Sequence, residues 1–329
     1  MVPSMRTEAR FPGVAPRAGH YESFYLKAGH PSMPLAIWVR YTVHKQPGRA
    51  ATGSLWFTFF DARAHGPRAV KTTIAGPVAA PGSYLRVGDA SISPGSARGR
   101  AEGQGRRASW DLAFESAAAP LFHLPQGWMY RAPVPRTKLL TPYPEARFRG
   151  SVEIDGRALQ LEGWRGMVGH NWGAEHAERW IWLHATGLDG EGWLDVALGR
   201  VQVGRVTTPW IANGVLSLDG ERQRLGGPHR TRVTEVREAP DRCEFCLPGS
   251  DLTVQGVVAA ARKDFAGWVY ADPDGSEHHA VNCSVADMTL AVSRPGQPPR
   301  TLEAVGSAVY ELGMRETDHG IAIQPFPDP

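Results

Sequence analysis

Cysteine is scarce. Three residues among 329 are an odd number that forms no disulfide framework, and a reducing cytoplasm is the expected compartment. Lysine is scarce as well, only five of the 36 basic side chains. The formal charge of +3 is too small and too dispersed for a dedicated nucleic-acid surface. The one mild basic cluster, Arg98, Arg100, Arg106 and Arg107, stands among Gly and Ser and reads as a solvated loop. No apolar run approaches the length that crosses a bilayer. Residues 1–16 contain no hydrophobic stretch of the kind a secretory signal needs. A long 3.6-residue apolar period is also missing, which excludes the crossover helices of an α/β fold. There is no Gly-rich phosphate loop, no nucleophile elbow and no His-Glu-x-x-His pair. Cys243-Glu-Phe-Cys246 is a lone C-x-x-C, and Cys283 sits in a strand pattern as a buried, inert thiol.

What is abundant is glycine, 37 residues, and proline, 27. With them come period-two patterns. Ile37, Val39, Tyr41 and Val43 share one face of a strand at 36–44, while Trp38, Arg40, Thr42 and His44 share the other. Its hairpin partner is 53–60, beyond a Pro47-Gly48 turn. Further strands are expected at 69–74, 84–92, 109–115, 148–154 and 158–164, and then at 180–186, 193–201, 214–218, 231–236, 252–259, 267–270, 281–292 and 301–312. Asp155-Gly156, Asp219-Gly220 and Asp274-Gly275 are turn dipeptides between them. The segment 174–179 reads as a short helix. The proline-rich stretch 120–144 cannot be a central strand and reads as an ordered crossover packed on a sheet. Residues 324–329 read as a tail. Strands at this spacing without helices predict an all-β protein built of antiparallel sandwiches or barrels, and the chain length predicts two domains. The N-terminal domain is expected over 1–177 and the C-terminal β-barrel domain over 178–329.

The densest functional composition lies at 163–184, read as a Gly/His/Trp loop that passes into a strand. It holds four Trp, three His and two Glu. Three readings compete: a structural junction in which His170, Asn171 and Glu175 bond backbone, a ligand pocket lined by indoles, and a metal site using His170, His176 and His184. On the strand 180–186, Trp180, Trp182, His184 and Thr186 share a face suited to a cavity lining. Trp193 and Asp195 share a face of the next strand, with Asp195 expected on the solvated side. Near the N-terminus Tyr21, Ser23, Tyr25 and Lys27 alternate together. Glu277 and His278, directly after an Asp-Gly turn, are expected to be exposed.

Three segments carry a resemblance: Tyr21-Glu-Ser-Phe-Tyr25-Leu-Lys-Ala-Gly-His30-Pro, Trp164-x-Gly-Met-x-Gly-His170-Asn-Trp172-Gly leading to Trp180-Ile-Trp182-Leu-His184, and His279-Ala-Val-Asn282-Cys283-Ser284-Val-Ala-Asp287. Together they resemble the lipocalin-like carotenoid hydratase, AttH and tocopherol cyclase superfamily, which includes natural-product Diels–Alderases. The resemblance implies two calycin-like or lipocalin-like antiparallel β-domains, sandwich or barrel, packed together, with an apolar pocket at or between them. It also implies cofactor-free hydration, cyclisation or cycloaddition of isoprenoid or polyketide-like molecules. In the hydratase pattern an acidic residue stands directly before the histidine of the middle segment, where this chain has Gly169. The expected activity is a lyase or isomerase without cofactor or metal. Its expected acid or hydrogen-bond donor is Glu175 or His170, and its expected pocket residues are Trp172, Trp180, Trp182, His184, Trp193, Asn171 and Tyr25. The alternative is a lipocalin-type carrier of a lipid or pigment. Either way the partner is a hydrophobic small molecule, with neither nucleic acid nor an integral membrane segment involved.

Overall fold

A computed structural model describes residues 7–326. Almost all regular structure is antiparallel β. In chain order the first sheet holds β1 (His20–Gly29), β2 (Leu35–Lys45), β3 (Thr52–Asp61), β4 (Arg68–Ala75), β5 (Leu85–Val87), β6 (Ala90–Ser93), β7 (Ser96–Gly103), β8 (Arg106–Glu115), β9 (Leu121–Phe122), β10 (Thr137–Ile154) and β11 (Arg157–Gly173). The second holds β12 (Arg179–Leu188) and β13 (Gly192–Arg200). A small ribbon follows, β14 (Gln202–Val203) with β15 (Val206–Thr207). The second sheet then continues with β16 (Ile211–Leu218), β17 (Glu221–Gly226), β18 (Glu235–Ala239), β19 (Arg242–Pro248), β20 (Thr253–Ala259), β21 (Ala266–Ala271), β22 (Glu277–Ser293) and β23 (Arg300–Met314). The fold is all-β, as the alternation predicts, and lipocalin-like, as the resemblance implies.

In the first sheet the order is β4-β3-β2-β1-β11-β10-β8-β7-β6-β5, so the last long strands return to pair with the first. The sheet curls until β4 meets β7, where Thr72 Oγ1 donates to the Glu102 carbonyl at 2.7 Å. The second sheet runs β17-β16-β13-β12-β23-β22-β20-β19-β18. Turn chemistry sets the hairpins. Asp155-Gly156 and Asp219-Gly220 both have positive φ at both positions, as a two-residue hairpin needs.

One continuous apolar core includes residues of both sheets. Indoles stitch it together: Trp56 of β3 meets Trp268 of β21 at 4.8 Å between ring centroids, and Trp38 of β2 meets the same ring at 6.2 Å. Buried Lys27 of β1 donates to the Ser307 carbonyl of β23 at 2.6 Å.

Five expectations are corrected. The span 163–173 is not a loop but the end of β11, glycine-rich because it runs close to its neighbours. Prolines 142 and 144 lie inside β10, at two slips of the β10–β11 register between Leu140, Tyr143 and Ala146, where a missing N–H does no harm. The span 174–179 is an extended connection into β12 rather than a helix. The span 84–92 breaks into β5 and β6 at Gly88, whose φ is +59°. The span 231–236 is mostly turn, following a 3₁₀ segment at Pro228–Arg230, and β18 starts only at Glu235. The tail is partly structured, since Gln324 N–H donates to the Gly267 carbonyl at 2.8 Å and Phe326 is buried. Residues 327–329 lie outside the described residues, as do residues 1–6. Among the described residues no helix is long and apolar enough to cross a membrane.

Burial of ionisable groups makes the fold sensitive to acid. His184 on β12 is fully buried, and burial pushes it down to about 4 from 6.5. His278 is pushed down to about 4 for the same reason. The unfolded chain binds these protons below about pH 6.5 and the folded chain does not. Stability therefore falls as pH drops from 6.5 toward 4, by roughly 3 kcal/mol from His184 alone. Urea midpoints measured at about pH 7 and about pH 4.5 should show this drop. A His184→Leu variant should flatten it, and an unchanged slope in that variant would contradict the assignment.

Candidate functional site

Between the sheets lies a cavity of about 640 Å³, within the range of about 300–1,000 Å³ usual for small-molecule sites. Three walls enclose it. From the first sheet come Tyr21 and Tyr25 of β1, Trp38 and Arg40 of β2, and Asn171 of β11. The second sheet gives Trp180 and Trp182 of β12, Tyr270 of β21 and Glu311 of β23. The third wall is the proline-rich segment 124–135, whose Trp128 is 66% exposed. The expected crossover is thus an ordered strap over the cavity. Aromatic rings dominate the lining because period two places Tyr21 and Tyr25, Trp38 and Arg40, and Trp180 and Trp182 on matching faces.

The same alternation decides which members of the glycine-rich segment reach the cavity. Asn171 pairs with Ser23 and Gly169 with Tyr25, on the cavity face. His170 and Trp172 point to the opposite face of β11. There His170 Nε2 lies 2.7 Å from Glu22 Oε1 and its ring stacks on Phe24 at 3.9 Å. Glu22 also accepts from the backbone N–H of Arg10, at 2.8 and 2.9 Å, and of Phe11, at 2.8 Å. Burial raises the Glu22 carboxyl, but the hydrogen bonds from His170 and His20 outweigh it and hold it at about 2. Burial also pushes His170 below the usual histidine range. Near neutrality the pair is therefore a neutral imidazole donating to a carboxylate.

Of the residues expected in the site, Tyr25, Asn171, Trp180 and Trp182 come together in the lining. Five do not line it. Glu175 is paired with Arg136 and its side chain is 34% exposed. His170 and Trp172 face away. His184 lies farther along β12, with neither ring nitrogen partnered among the described residues. Trp193 packs with Leu121 and Val215 beneath the Arg222 guanidinium. His170, His176 and His184 have separate surroundings and share no metal position. Asp195, expected in solvent, is fully buried, accepting from Thr141 Oγ1 at 2.7 Å and Trp182 Nε1 at 3.1 Å. His278, also expected in solvent, is fully buried.

The most organised polar group in the lining contains a histidine that the sequence offered only as a metal ligand. His176, on the connection between β11 and β12, is held by Asp272 just after β21. The imidazole Nδ1 is 2.6 Å from Asp272 Oδ1, and the His176 backbone N–H donates to the same oxygen at 2.8 Å. Nε2 has no partner among the described residues. Tyr21 stacks on the ring at 3.9 Å. Burial raises the Asp272 carboxyl, yet the hydrogen bond from His176 outweighs it, so the group stays ionised. His278 Nδ1 stands 3.5 Å from Asp272 Oδ2, and the three side chains form a cluster with ligand-type atoms within 4.8 Å of one another. The only sequence signal was the turn at Asp274-Gly275, which places Asp272 at its start. Nothing local linked it to His176.

Tyr25 explains Gly169. A Cβ built at 169 would stand 2.3 Å from the Tyr25 ring and 2.6 Å from its hydroxyl. The phenol therefore occupies the space above the position where the hydratase pattern has its acid. Burial raises this hydroxyl well above 10, so it keeps its proton near neutrality. Gly169→Asp should destabilise the fold by at least about 1–3 kcal/mol, the range for overpacking. In urea unfolding, Tyr25→Ala should relieve part of that loss, and strict additivity of the two changes would contradict the clash.

No protein-family profile matches the chain. The uncharacterized protein Rv0493c of Mycobacterium tuberculosis H37Rv is 25% identical over 91% of this chain and 88% of its own length. Three solved structures share the fold. A putative AttH from Nitrosomonas europaea has a TM-score of 0.54 at 12% identity, covering 95% of this chain and 98% of its own. Kievitone hydratase from Nectria haematococca has a TM-score of 0.53 at 10% identity, covering 89% and 88%. CghA, solved with Sch210972, has a TM-score of 0.59 at 12% identity, covering 90% and 89%. The resemblance read from the sequence thus holds as a likeness of fold.

Proposed function

We propose that the chain is a lyase or isomerase of hydratase or cyclase type, acting on a hydrophobic small molecule held between the two sheets. The observation that carries this reading is His176 in the lining of an apolar cavity, with Nδ1 fixed by Asp272 and Nε2 unpartnered. A carboxylate accepting from Nδ1–H leaves the lone pair on Nε2, which is the arrangement of a general base. In the proposed step Nε2 takes a proton from carbon beside a carbonyl of the bound molecule. The electron pair moves onto the carbonyl oxygen. As the carbonyl re-forms, the imidazolium returns the proton either to a carbon farther along the same molecule, which gives an isomer, or to a hydroxyl on the β-carbon, whose C–O bond breaks while the α,β double bond forms, which releases water. The Tyr25 hydroxyl donates a hydrogen bond to the oxygen that gains charge. The indoles of Trp180, Trp182 and Trp38 fold the apolar remainder and exclude water, and holding reacting atoms close lowers the barrier further. The name of one fold neighbour, a hydratase, supports the class of reaction. His170, locked to Glu22 on the far face, braces β11 against β1.

The test is a metabolite extract of the source cells incubated with the purified protein and analysed by mass spectrometry. One mass feature should be consumed while another forms, of equal formula or differing by one water, and His176→Gln should slow this by about 10²–10⁴-fold. A feature that merely disappears with the protein, and returns unchanged on denaturation, would make the chain a carrier and overturn the proposal.

A further inference from the structure

The cavity lining holds a buried cation that forms no ion pair among the described residues. Arg40 lies in the middle of β2, is 5% exposed and lines the cavity. Its Nε donates to Ser23 Oγ at 2.6 Å. Its guanidinium carbon sits 4.3 Å from the Tyr270 ring centroid, 5.6 Å from Trp56 and 6.0 Å from Trp38. No ion pair and no hydrogen bond from the two terminal nitrogens occurs among the described residues.

The buried carboxylates of this region bond other donors and form no ion pair with Arg40 among the described residues. Glu311, in the same lining, accepts from Trp180 Nε1 at 2.9 Å and from Asn282 Nδ2 at 3.0 Å. Asp272 is committed to His176. Asp195 accepts from Thr141 and Trp182. A buried guanidinium is normally paired with an acid or coordinated by several acceptors. Here aromatic faces hold its flanks and leave its fork of donors toward the open space.

We infer that the molecule filling this cavity carries a planar anion with two oxygens, a carboxylate or the enolate of a 1,3-dicarbonyl, docked on the Arg40 fork with its apolar remainder among the indoles. Two parallel N–H groups match two coplanar oxygens, whereas a single hydroxyl or an ester satisfies only one and brings no charge. The inference rests on the proposed reading of the cavity as the substrate site and narrows it to apolar-tailed acids and acidic dicarbonyls. Tyr25, directly opposite Arg40 in the β1–β2 pairing, stands beside the same head group.

Binding to the intact protein tests this without any turnover. The first probe pair is the fluorescent polyene parinaric acid and its methyl ester. The second is 2-dodecanoylcyclohexane-1,3-dione and its enol methyl ether, both at neutral pH. At least one charged member should bind about tenfold or more tighter than its uncharged partner. The arm that shows the preference identifies a carboxylate or an enolate as the head group. Arg40→Met should erase the preference, the charged member losing about tenfold or more relative to its uncharged partner, and Arg40→Lys should retain part of it. Thermal melts show which variants are folded, and the wild-type comparison needs no variant. Equal affinity within both pairs, no binding of any probe, or a preference that survives in folded Arg40→Met overturns the inference.

This outcome is separate from that of the acid–base proposal. Indifference to charge together with His176-dependent turnover removes the anchor alone. A charge preference together with His176-independent turnover removes the proton-transfer role alone.

Discussion

Glu22→Ala is expected to lower stability by about 3–5 kcal/mol, the usual loss when one member of a buried charged network is removed. The carboxylate accepts from two backbone N–H groups, those of Arg10 and Phe11, and lies against His170 Nε2 on the far side. Truncation to a methyl leaves all three groups buried without an acceptor. It also unties the segment before β1 from the sheet. Glu22→Gln should lose less, since it keeps the volume and one acceptor oxygen but turns an amide N–H toward existing donors. Urea unfolding near neutral pH reads both variants. A loss below about 1 kcal/mol for the alanine variant would show that the network is solvated after all.

Asp272→Asn should leave the fold largely in place and reduce turnover by about 10²–10⁴-fold. The amide preserves the shape next to His176, and its oxygen can still accept from the His176 backbone N–H. It no longer stabilises positive charge on the ring, and its N–H₂ can donate to Nδ1, which favours the tautomer carrying the proton on Nε2. The base would then be blocked while the cavity keeps its volume. The measurement is turnover of the molecule found in the extract experiment, set beside the affinity of the same molecule. Loss of kcat with binding retained is the expected split. Equal loss of both would mark Asp272 as a structural residue only.

The fold was legible because its strands obey simple alternation, as at 36–44 and 180–186, and because Asp-Gly turns announce their hairpins. Two of the misreadings, at 163–173 and at prolines 142 and 144, share one cause: glycine and proline were taken as loop signals. In 163–173 glycine serves close strand approach, as at Gly169 beneath the Tyr25 ring. Once that segment is a strand, neighbours must point oppositely, and His170 and Trp172 leave the cavity while Asn171 stays. The prolines at 142 and 144 were hidden in β10 because register slips remove the need for their N–H groups. His176 was noticed only as a metal candidate, because its partner lies 96 positions away. Arg40 was visible on the mixed face of its strand, but a sequence does not show that an arginine has no acid beside it. Such pairings depend on tertiary contacts that local patterns do not encode.

The strap at 124–135 forms one cavity wall, yet it contributes neither the His176–Asp272 dyad nor Arg40. Its exposed members, including Trp128, hold no strand in register. Changes of bulk at these exposed positions therefore reshape one wall of the space around a bound molecule without replacing either the dyad or Arg40. Diversification of the accepted compounds has a natural place to begin there, and directed evolution that aims at new tails should randomise this ribbon first.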